Sequence, residues 1–435
     1  MSIAPALVIA APATGSGKTV LTLGLLRAFR RRGVAVSSAK VGPDYIDPAF
    51  HAAASGRPCV NLDPWAMRPS TLQAIATSAG QADLLLVEGV MGLFDGARDG
   101  TGSTADLAAH FGWPVILLVD ARGQGASIAA IVEGFRRFRR DVDVVAIVGN
   151  RVTGAGHASI LRAALAPLGL PVLGLLPSEP RIALPSRHLG LVQAAEHEDL
   201  ERTIDAAADW VAAHLDLDAL MALARPTPRA ADESAAGIPP LGARIAYAAD
   251  EAFAFTYPHL LRAWRQAGAE LAPFSPLADE APDAAADAVF LPGGYPELHA
   301  GRLAGNGRFM AGLRDHARRG RTLYGECGGY MVLGAGLVDA AGQRHAMAGL
   351  LPLETSFAER KLHLGYRTIE ALAASALGAT GTRFRGHEFH YARVVSEGSA
   401  EPLFKCRDAI GQDLGTAGLR AGSVVGSFLH LIDVA

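Results

Sequence analysis

Cysteine is scarce: Cys59, Cys327 and Cys406 are the only three in 435 residues. They stand far apart and form neither a Cys-x-x-Cys pair nor a plausible set of bridges, which excludes a disulfide scaffold and fits a reducing compartment. An excess of one charge is also missing. The net charge is −3, and Lys and Arg are interspersed with Asp and Glu, so no nucleic-acid partner is expected. No run reaches the roughly eighteen apolar residues of a membrane span, and the first thirteen residues carry no basic leader or cleavage pattern. These absences predict a soluble, cytoplasmic protein with no membrane partner.

What is present is apolar bulk: half of the residues are hydrophobic. Single cores stop growing near about 250–300 residues, so a chain of this length is expected to form two domains, each with a full core. Short β-rich runs at 6–10, 84–87, 115–119 and 144–148 alternate with helical patterns and end in Gly, Asp or Asn. Such alternation predicts a parallel sheet covered by helices. The pattern breaks at Arg225-Pro226-Thr227-Pro228-Arg229 and stays poor in packing residues up to Pro239-Pro240. That composition marks a linker over 222–242, with one domain over 1–221 and another over 243–435. Runs at 244–248, 288–291, 322–324 and 423–428 give the second domain an α/β character. The halves carry different glycine motifs and show no repeat.

The first strand leads into Ala11-Pro12-Ala13-Thr14-Gly15-Ser16-Gly17-Lys18-Thr19, then a helix with Leu21, Leu25, Ala28 and Phe29 on one face. Glycines allow backbone N–H groups to close around phosphates at a helix N-terminus. Lys18 reaches the terminal phosphates and the Thr19 hydroxyl suits Mg²⁺, so Thr14 to Thr19 are expected to hold ATP. The motif usually starts with Gly where this chain has Pro12. Two acidic segments follow. The run at 84–87 delivers Glu88 to the carboxyl edge of the sheet, where ligands bind. Asp44 and Glu88 are expected to hold Mg²⁺ and position an acceptor, with a turn-forming role as the alternative for Asp44. Asp47 and Asp95, beside Pro48 and Gly96, read as turn formers. Asp120 and Asn150 end strands, where nucleotide binding and loop capping compete; Asn150 is carried forward as a nucleotide contact.

In the second half, Leu323-Tyr324-Gly325-Glu326-Cys327-Gly328-Gly329 turns sharply from strand to helix. This elbow exposes a nucleophile. A thiolate at Cys327 can attack the carboxamide of glutamine if a base takes its proton and N–H groups hold the oxyanion. His430, ending the run 423–429, is the best base, and Gly293 and Gly294 in Pro292-Gly293-Gly294-Tyr295-Pro296 suit the oxyanion. Cys59 and Cys406 lack such a setting and read as small buried hydrophobes.

Three segments carry a family resemblance: Val41-Gly42-Pro43-Asp44-Tyr45-Ile46-Asp47-Pro48, Val87-Glu88-Gly89-Val90-Met91-Gly92-Leu93-Phe94-Asp95-Gly96, and Leu184-Pro185-Ser186-Arg187-His188-Leu189-Gly190-Leu191-Val192. With these the chain resembles the cobyrinic or hydrogenobyrinic acid a,c-diamide synthases over essentially its whole length. The resemblance implies an N-terminal P-loop NTPase-type parallel-sheet domain similar to dethiobiotin synthetase. It also implies a C-terminal class I glutamine amidotransferase-like α/β domain. The implied acceptor is a corrin-type tetrapyrrole polycarboxylate, the nitrogen donor is L-glutamine, and the activator is ATP with Mg²⁺, through an acyl phosphate. Asp44, Tyr45, Arg187 and His188 are then implied to meet the acceptor. Arg360 with Lys361, and Arg385 with His387 and His390, are further cationic clusters that suit its carboxylates.

Class I amidotransferases normally carry a Glu two residues after the His, where this chain has Ile432. Cys327 and His430 therefore act as a dyad or another carboxylate orients the imidazole. A partitioning-type ATPase is a rival reading, but such proteins carry an early loop Lys where Ala13 stands here and have no elbow domain. Closer rivals are cobyric acid synthase and the nickel-sirohydrochlorin enzyme. The metal of the acceptor, the order of amidation, the ammonia path and the oligomeric state, with a homodimer left open, are not legible.

Overall fold

The computed structural model describes residues 4–435 except 185, 188, 189, 192, 193, 198 and 229–236. His188 and the side chain of Arg187, both expected at the acceptor, lie outside the described residues, as does part of the expected linker. The chain divides into two compact units, Met1–Trp65 with Pro69–Ala235 and Ala66–Arg68 with Ala236–Ala435. Among the described residues no helix is long and apolar enough to cross a membrane.

The first unit is built on strands β1 (Pro5–Ala10), β2 (Val36–Val41), β3 (Cys59–Leu62), β4 (Leu84–Glu88), β5 (Val115–Asp120), β6 (Val144–Val152) and β7 (Val172–Pro177). Their order is β3-β2-β4-β1-β5-β6-β7, with parallel pairing throughout. Strands buried on both faces read as continuous apolar runs rather than as alternation, which is why β1, β4 and β5 stand out in the sequence. β2, Val-Ser-Ser-Ala-Lys-Val, is as fully buried despite its polar residues. Helix α1 (Lys18–Arg31) starts at the end of the loop after β1, and α2 (Asp47–Ser55) follows β2.

The expected linker over 222–242 is held to the first unit near its start. A short strand, Arg225–Pro226, pairs antiparallel with β1. Thr227 Oγ1 donates to Ala4 O at 3.1 Å and accepts from Trp113 Nε1 at 3.1 Å. Hydrogen bonding of this backbone and side chain fastens the Pro-rich segment to the first unit, an interaction that local composition does not encode.

In the second unit the strands Glu270–Phe274, Arg244–Ala248, Ala288–Leu291, Thr322–Glu326 and Val424–Ser427 form a parallel set in that order. The sheet continues through Asp413–Ala421, Glu401–Asp408, His363–Ala371, Arg383–His390 and Leu429–Val434, all antiparallel to their neighbours. The expected single run at 423–429 is in fact two strands: the chain breaks at Phe428, and His430 belongs to Leu429–Val434. A buried core of Phe253, Phe309, Leu313, Leu323, Tyr330 and Leu333, among others, packs beneath the elbow.

Candidate active sites

The loop after β1 is shaped by two left-handed glycines, Gly15 at φ 78° and Gly17 at φ 101°. Gly17 is the N-cap of α1 and no side chain caps the helix, so the orphan N–H groups of its first turn face the loop. Asn150, at the end of β6, donates from Nδ2 to Ser16 O at 2.8 Å, and a methyl group at Gly17 would lie 2.5 Å from that nitrogen. Asn150 thus braces the loop from beneath. Thr14 and Gly15 are exposed at the loop tip, while Ser16 is buried and donates to Ala13 O at 2.8 Å. Lys18 Nζ donates to Met91 O at 2.5 Å. Burial, and then the nearby Lys40 ammonium, bring the Lys18 pKa down to about 8.

Around Thr19 the register of β1, β2 and β4 gathers a buried ionic group. Glu88 pairs with Ile9 on one side and Lys40 on the other. Its Oε1 accepts from Thr19 Oγ1 at 2.7 Å and from Lys40 Nζ at 2.7 Å, and its Oε2 lies 2.6 Å from His51 Nε2. Lys40 Nζ also reaches Asp47 Oδ2 at 2.6 Å, and Thr19 Oγ1 is 3.4 Å from the same oxygen. Behind His51, Cys59 Sγ lies 3.4 Å from Nδ1. Against burial, Cys59 and Glu88 push the His51 imidazole up to about 10. Lys40 and His51 likewise hold the Glu88 carboxyl well below the ordinary range against the cost of its burial.

The two aspartates after β2 have different partners. Asp44, expected as a metal ligand, accepts the N–H groups of Ile46 at 2.8 Å and Asp47 at 3.1 Å through Oδ1. That is the turn-forming role, and burial pushes its carboxyl up to about 6. Asp47, read as a turn former, is the carboxylate that meets Thr19 and Lys40. Tyr45 is half-buried in the same turn, whose carbonyls at Gly42 and Asp44 are held by Asn61 Nδ2 at 3.0 and 2.6 Å. Asp95 does form a turn, accepting from Gly92 N at 2.9 Å. Asp120 is engaged by Arg122 and Arg151. Thr19, Asp47 and Glu88 present hard oxygen donors at one point, a set that suits Mg²⁺; Lys40 is their counter-ion in this state.

In the second unit the elbow is a strained turn. Cys327 has φ 46° and ψ −102°, and the helix Gly328–Leu333 starts immediately after it. A non-glycine residue with positive φ is uncommon and costs on the order of 1–3 kcal/mol, a strain that the surrounding packing must sustain. The turn is fixed by Cys327 N donating to Ser427 O at 2.8 Å. Gly293 lies beside both reacting groups: a methyl there would be 2.5 Å from His430 Cε1 and 3.4 Å from Cys327 Cβ. Gly294 N is near the helix start, about where a methyl on Gly328 would fall, at 3.1 Å. Burial pushes the Cys327 thiol far above its usual range, with Glu297 adding to the effect, and burial lowers the His430 imidazole. Both shifts favour the uncharged form of the group.

Gly293→Ala tests this crowding. The added methyl must displace the imidazole, and misplacement by about 1 Å costs on the order of a hundredfold in rate. Glutamine hydrolysis is expected to fall by that factor with unchanged secondary structure; an unaffected rate would remove Gly293 from the site.

Two cationic clusters expected at the acceptor are not alike. Arg360 and Lys361 are exposed. His387 is buried, stacked on His430 with ring centroids 4.8 Å apart, and lies 2.8 Å from Tyr257 Oη. Burial and then Arg367 lower its pKa to about 3, which disfavours the imidazolium that would pair with a carboxylate. His390 is also buried, between Glu388 Oε1 at 3.0 Å and Ala392 O at 3.1 Å.

Sequence reasoning missed Lys40, His51, Asp47 and Cys59. A signal existed for one of them: a lysine inside a strand with every residue buried requires partners.

Comparison with known proteins agrees with both halves. Residues 7–192 match the CobQ/CobB/MinD/ParA nucleotide binding domain family, and residues 244–433 match the CobB/CobQ-like glutamine amidotransferase domain family. A hydrogenobyrinate a,c-diamide synthase of Brucella anthropi is 58% identical over 98% of each chain. Proteins of the same name from Rhizobium meliloti and Rhodobacter capsulatus are 57% and 55% identical, covering 98% of this chain and 99% and 98% of their own. The chain belongs to the hydrogenobyrinate a,c-diamide synthase family.

Proposed function

We propose that this protein converts the a and c carboxylates of hydrogenobyrinate or cobyrinate to carboxamides in the cytoplasm, consuming glutamine and ATP with Mg²⁺. The observation that carries the chemistry is the occurrence in one chain of two unlike sites. One is a phosphate loop whose Lys18 and Thr19 adjoin Asp47 and Glu88; the other is a strained Cys327 beside His430. The acceptor follows the name borne by the relatives.

At the second site the thiol proton passes to His430 as Sγ attacks the side-chain carbonyl carbon of glutamine. Backbone N–H groups of the Gly293–Gly294 loop face the oxyanion. The proton then goes to the departing amino group, ammonia leaves, and water hydrolyses the thioester to glutamate and free thiol. At the first site an acceptor carboxylate oxygen attacks the γ-phosphorus and ADP departs. Lys18 and the N-terminus of α1 hold the charge of the transferring group, the main contribution a protein makes to this step. Mg²⁺ held by Thr19, Asp47 and Glu88 would add charge neutralisation. Ammonia attacks the acyl phosphate, phosphate leaves, and the nitrogen gives up a proton to the medium. Repetition at the second carboxylate completes the diamide.

The acyl phosphate predicts that ¹⁸O in the acceptor carboxylate appears in inorganic phosphate, one atom per amide formed. Phosphate without label would exclude carboxylate phosphorylation.

Glu88→Gln is expected to lower ammonia-dependent amidation by a factor on the order of a hundred, while glutamine hydrolysis in the other unit is unchanged. The substitution also leaves the buried Lys40 with Asp47 alone and takes from His51 its carboxylate partner, so the melting temperature falls as well. The rate is therefore read well below that temperature. Recovery to the wild-type rate under those conditions would reduce Glu88 to a structural role.

A further inference from the structure

The position that normally carries the orienting carboxylate holds Ile432, a buried apolar residue. Yet a carboxylate does face the imidazole. Glu326 Oε2 lies 3.8 Å from His430 Nδ1, and both residues are buried. Glu326 ends the strand that leads into the nucleophile, one residue before Cys327, so nucleophile and carboxylate are delivered by the same turn. Its Oε1 is fixed from two sides, by Tyr324 Oη at 2.6 Å and by Leu431 N at 3.1 Å. The second of these donors is the residue after His430, so Glu326 also grips the backbone that carries the base.

A second nearby carboxylate is already committed. Glu388 spends Oε1 on His390 at 3.0 Å and Oε2 on Arg367 at 2.7 Å. Glu326 Oε2 has the closest approach to the base. A gap of 3.8 Å is longer than a hydrogen bond, but such contacts are commonly loose before substrate binds and tighten in the complex.

From this we infer that Glu326 is the positioning residue for His430, supplying from the nucleophile's own strand the carboxylate that Ile432 does not. It holds the imidazole with hydrogen on Nδ1, leaving Nε2 to accept the Cys327 proton, and it stabilises the imidazolium that then forms. Burial pushes the Glu326 carboxyl up to about 7 against the bonds from Tyr324 and Leu431. The inference rests on the glutamine-splitting role of Cys327 proposed above.

The test is Glu326→Gln, which keeps the side-chain volume and its contact with Leu431. Glutamine hydrolysis should lose about ten- to a hundredfold in kcat with KM changed by less than about threefold, because the base is misplaced while the glutamine pocket remains. ¹⁵N NMR of the His430 ring should show loss of the Nδ1–H tautomer, and Glu326→Asp should recover part of both signals. A kcat within about twofold of wild type, or an unchanged tautomer in a folded variant, overturns the assignment. If Glu326→Gln does not fold, the tautomer and kcat of Glu326→Asp decide in the same way. Cys327→Ala separates the two levels: if it still splits glutamine, the reading of the site fails; if it does not while Glu326→Gln is fully active, only the positioning role fails.

Discussion

Cys327→Ala is expected to abolish glutamine-dependent amide formation, by about a thousandfold or more, while ammonia at high concentration still supports the reaction at near wild-type rate. The elbow concentrates the whole nitrogen-releasing chemistry on one sulfur atom. Without it the His430 base has no proton to remove, and the oxyanion loop at Gly293 has no tetrahedral centre to hold. Nothing in the Thr19, Asp47 and Glu88 group depends on this sulfur, since that group is assembled from strands of the other unit. The measurement is product formation with each nitrogen source in parallel. Equal failure with ammonia would show that the two chemistries are not divided between the units as proposed.

Lys18→Ala should produce the converse pattern: amidation falls by about a thousandfold with glutamine and with ammonia alike, and glutamine hydrolysis persists. Removing one preorganised charge from a developing anion typically costs a factor of about a hundred to a thousand, and phosphoryl transfer relies on such charge more than most reactions. Burial and Lys40 hold the Lys18 pKa near 8, so in the nucleotide-free protein its charge is lost as pH rises through that value. The apparent affinity for ATP should weaken above about pH 8 as a result. Near-normal ammonia-dependent synthesis by the alanine variant would mean that the loop does not activate the acceptor.

How legible these sites are depends on how local their determinants are. Lys18, Thr19 and Cys327 are announced by glycine patterns within a few residues, because a phosphate loop and an elbow are both set by backbone conformation at contiguous positions. Asp47 and Lys40 are brought to Glu88 by strand register and by the start of α2, which no short pattern states. His51 reaches Glu88 from α2, and Cys59 comes to stand behind its ring only once β3 lies beside β2. The second sheet is a similar case. Its parallel half announces itself through apolar runs such as Ala288–Leu291, whereas strands such as Asp413–Ala421, with a single buried residue, offer little hydrophobic signal. The break at Phe428 is invisible in Val424-Val425-Gly426-Ser427-Phe428-Leu429, because apolar residues stand on both sides of it. Glu326 is unmarked in the sequence for the same reason: the His430 imidazole near it arrives on another strand.

The account as a whole stands on one product analysis. Wild-type protein is supplied with hydrogenobyrinate, ATP, Mg²⁺ and glutamine labelled with ¹⁵N in its side-chain amide, alongside the cobalt-containing acid in a second vessel. Mass spectrometry should find two carboxylates converted to carboxamides, both carrying the label, in at least one of the two vessels and only when ATP is present. Unaltered acid in both vessels, or amides formed without ATP, would contradict it.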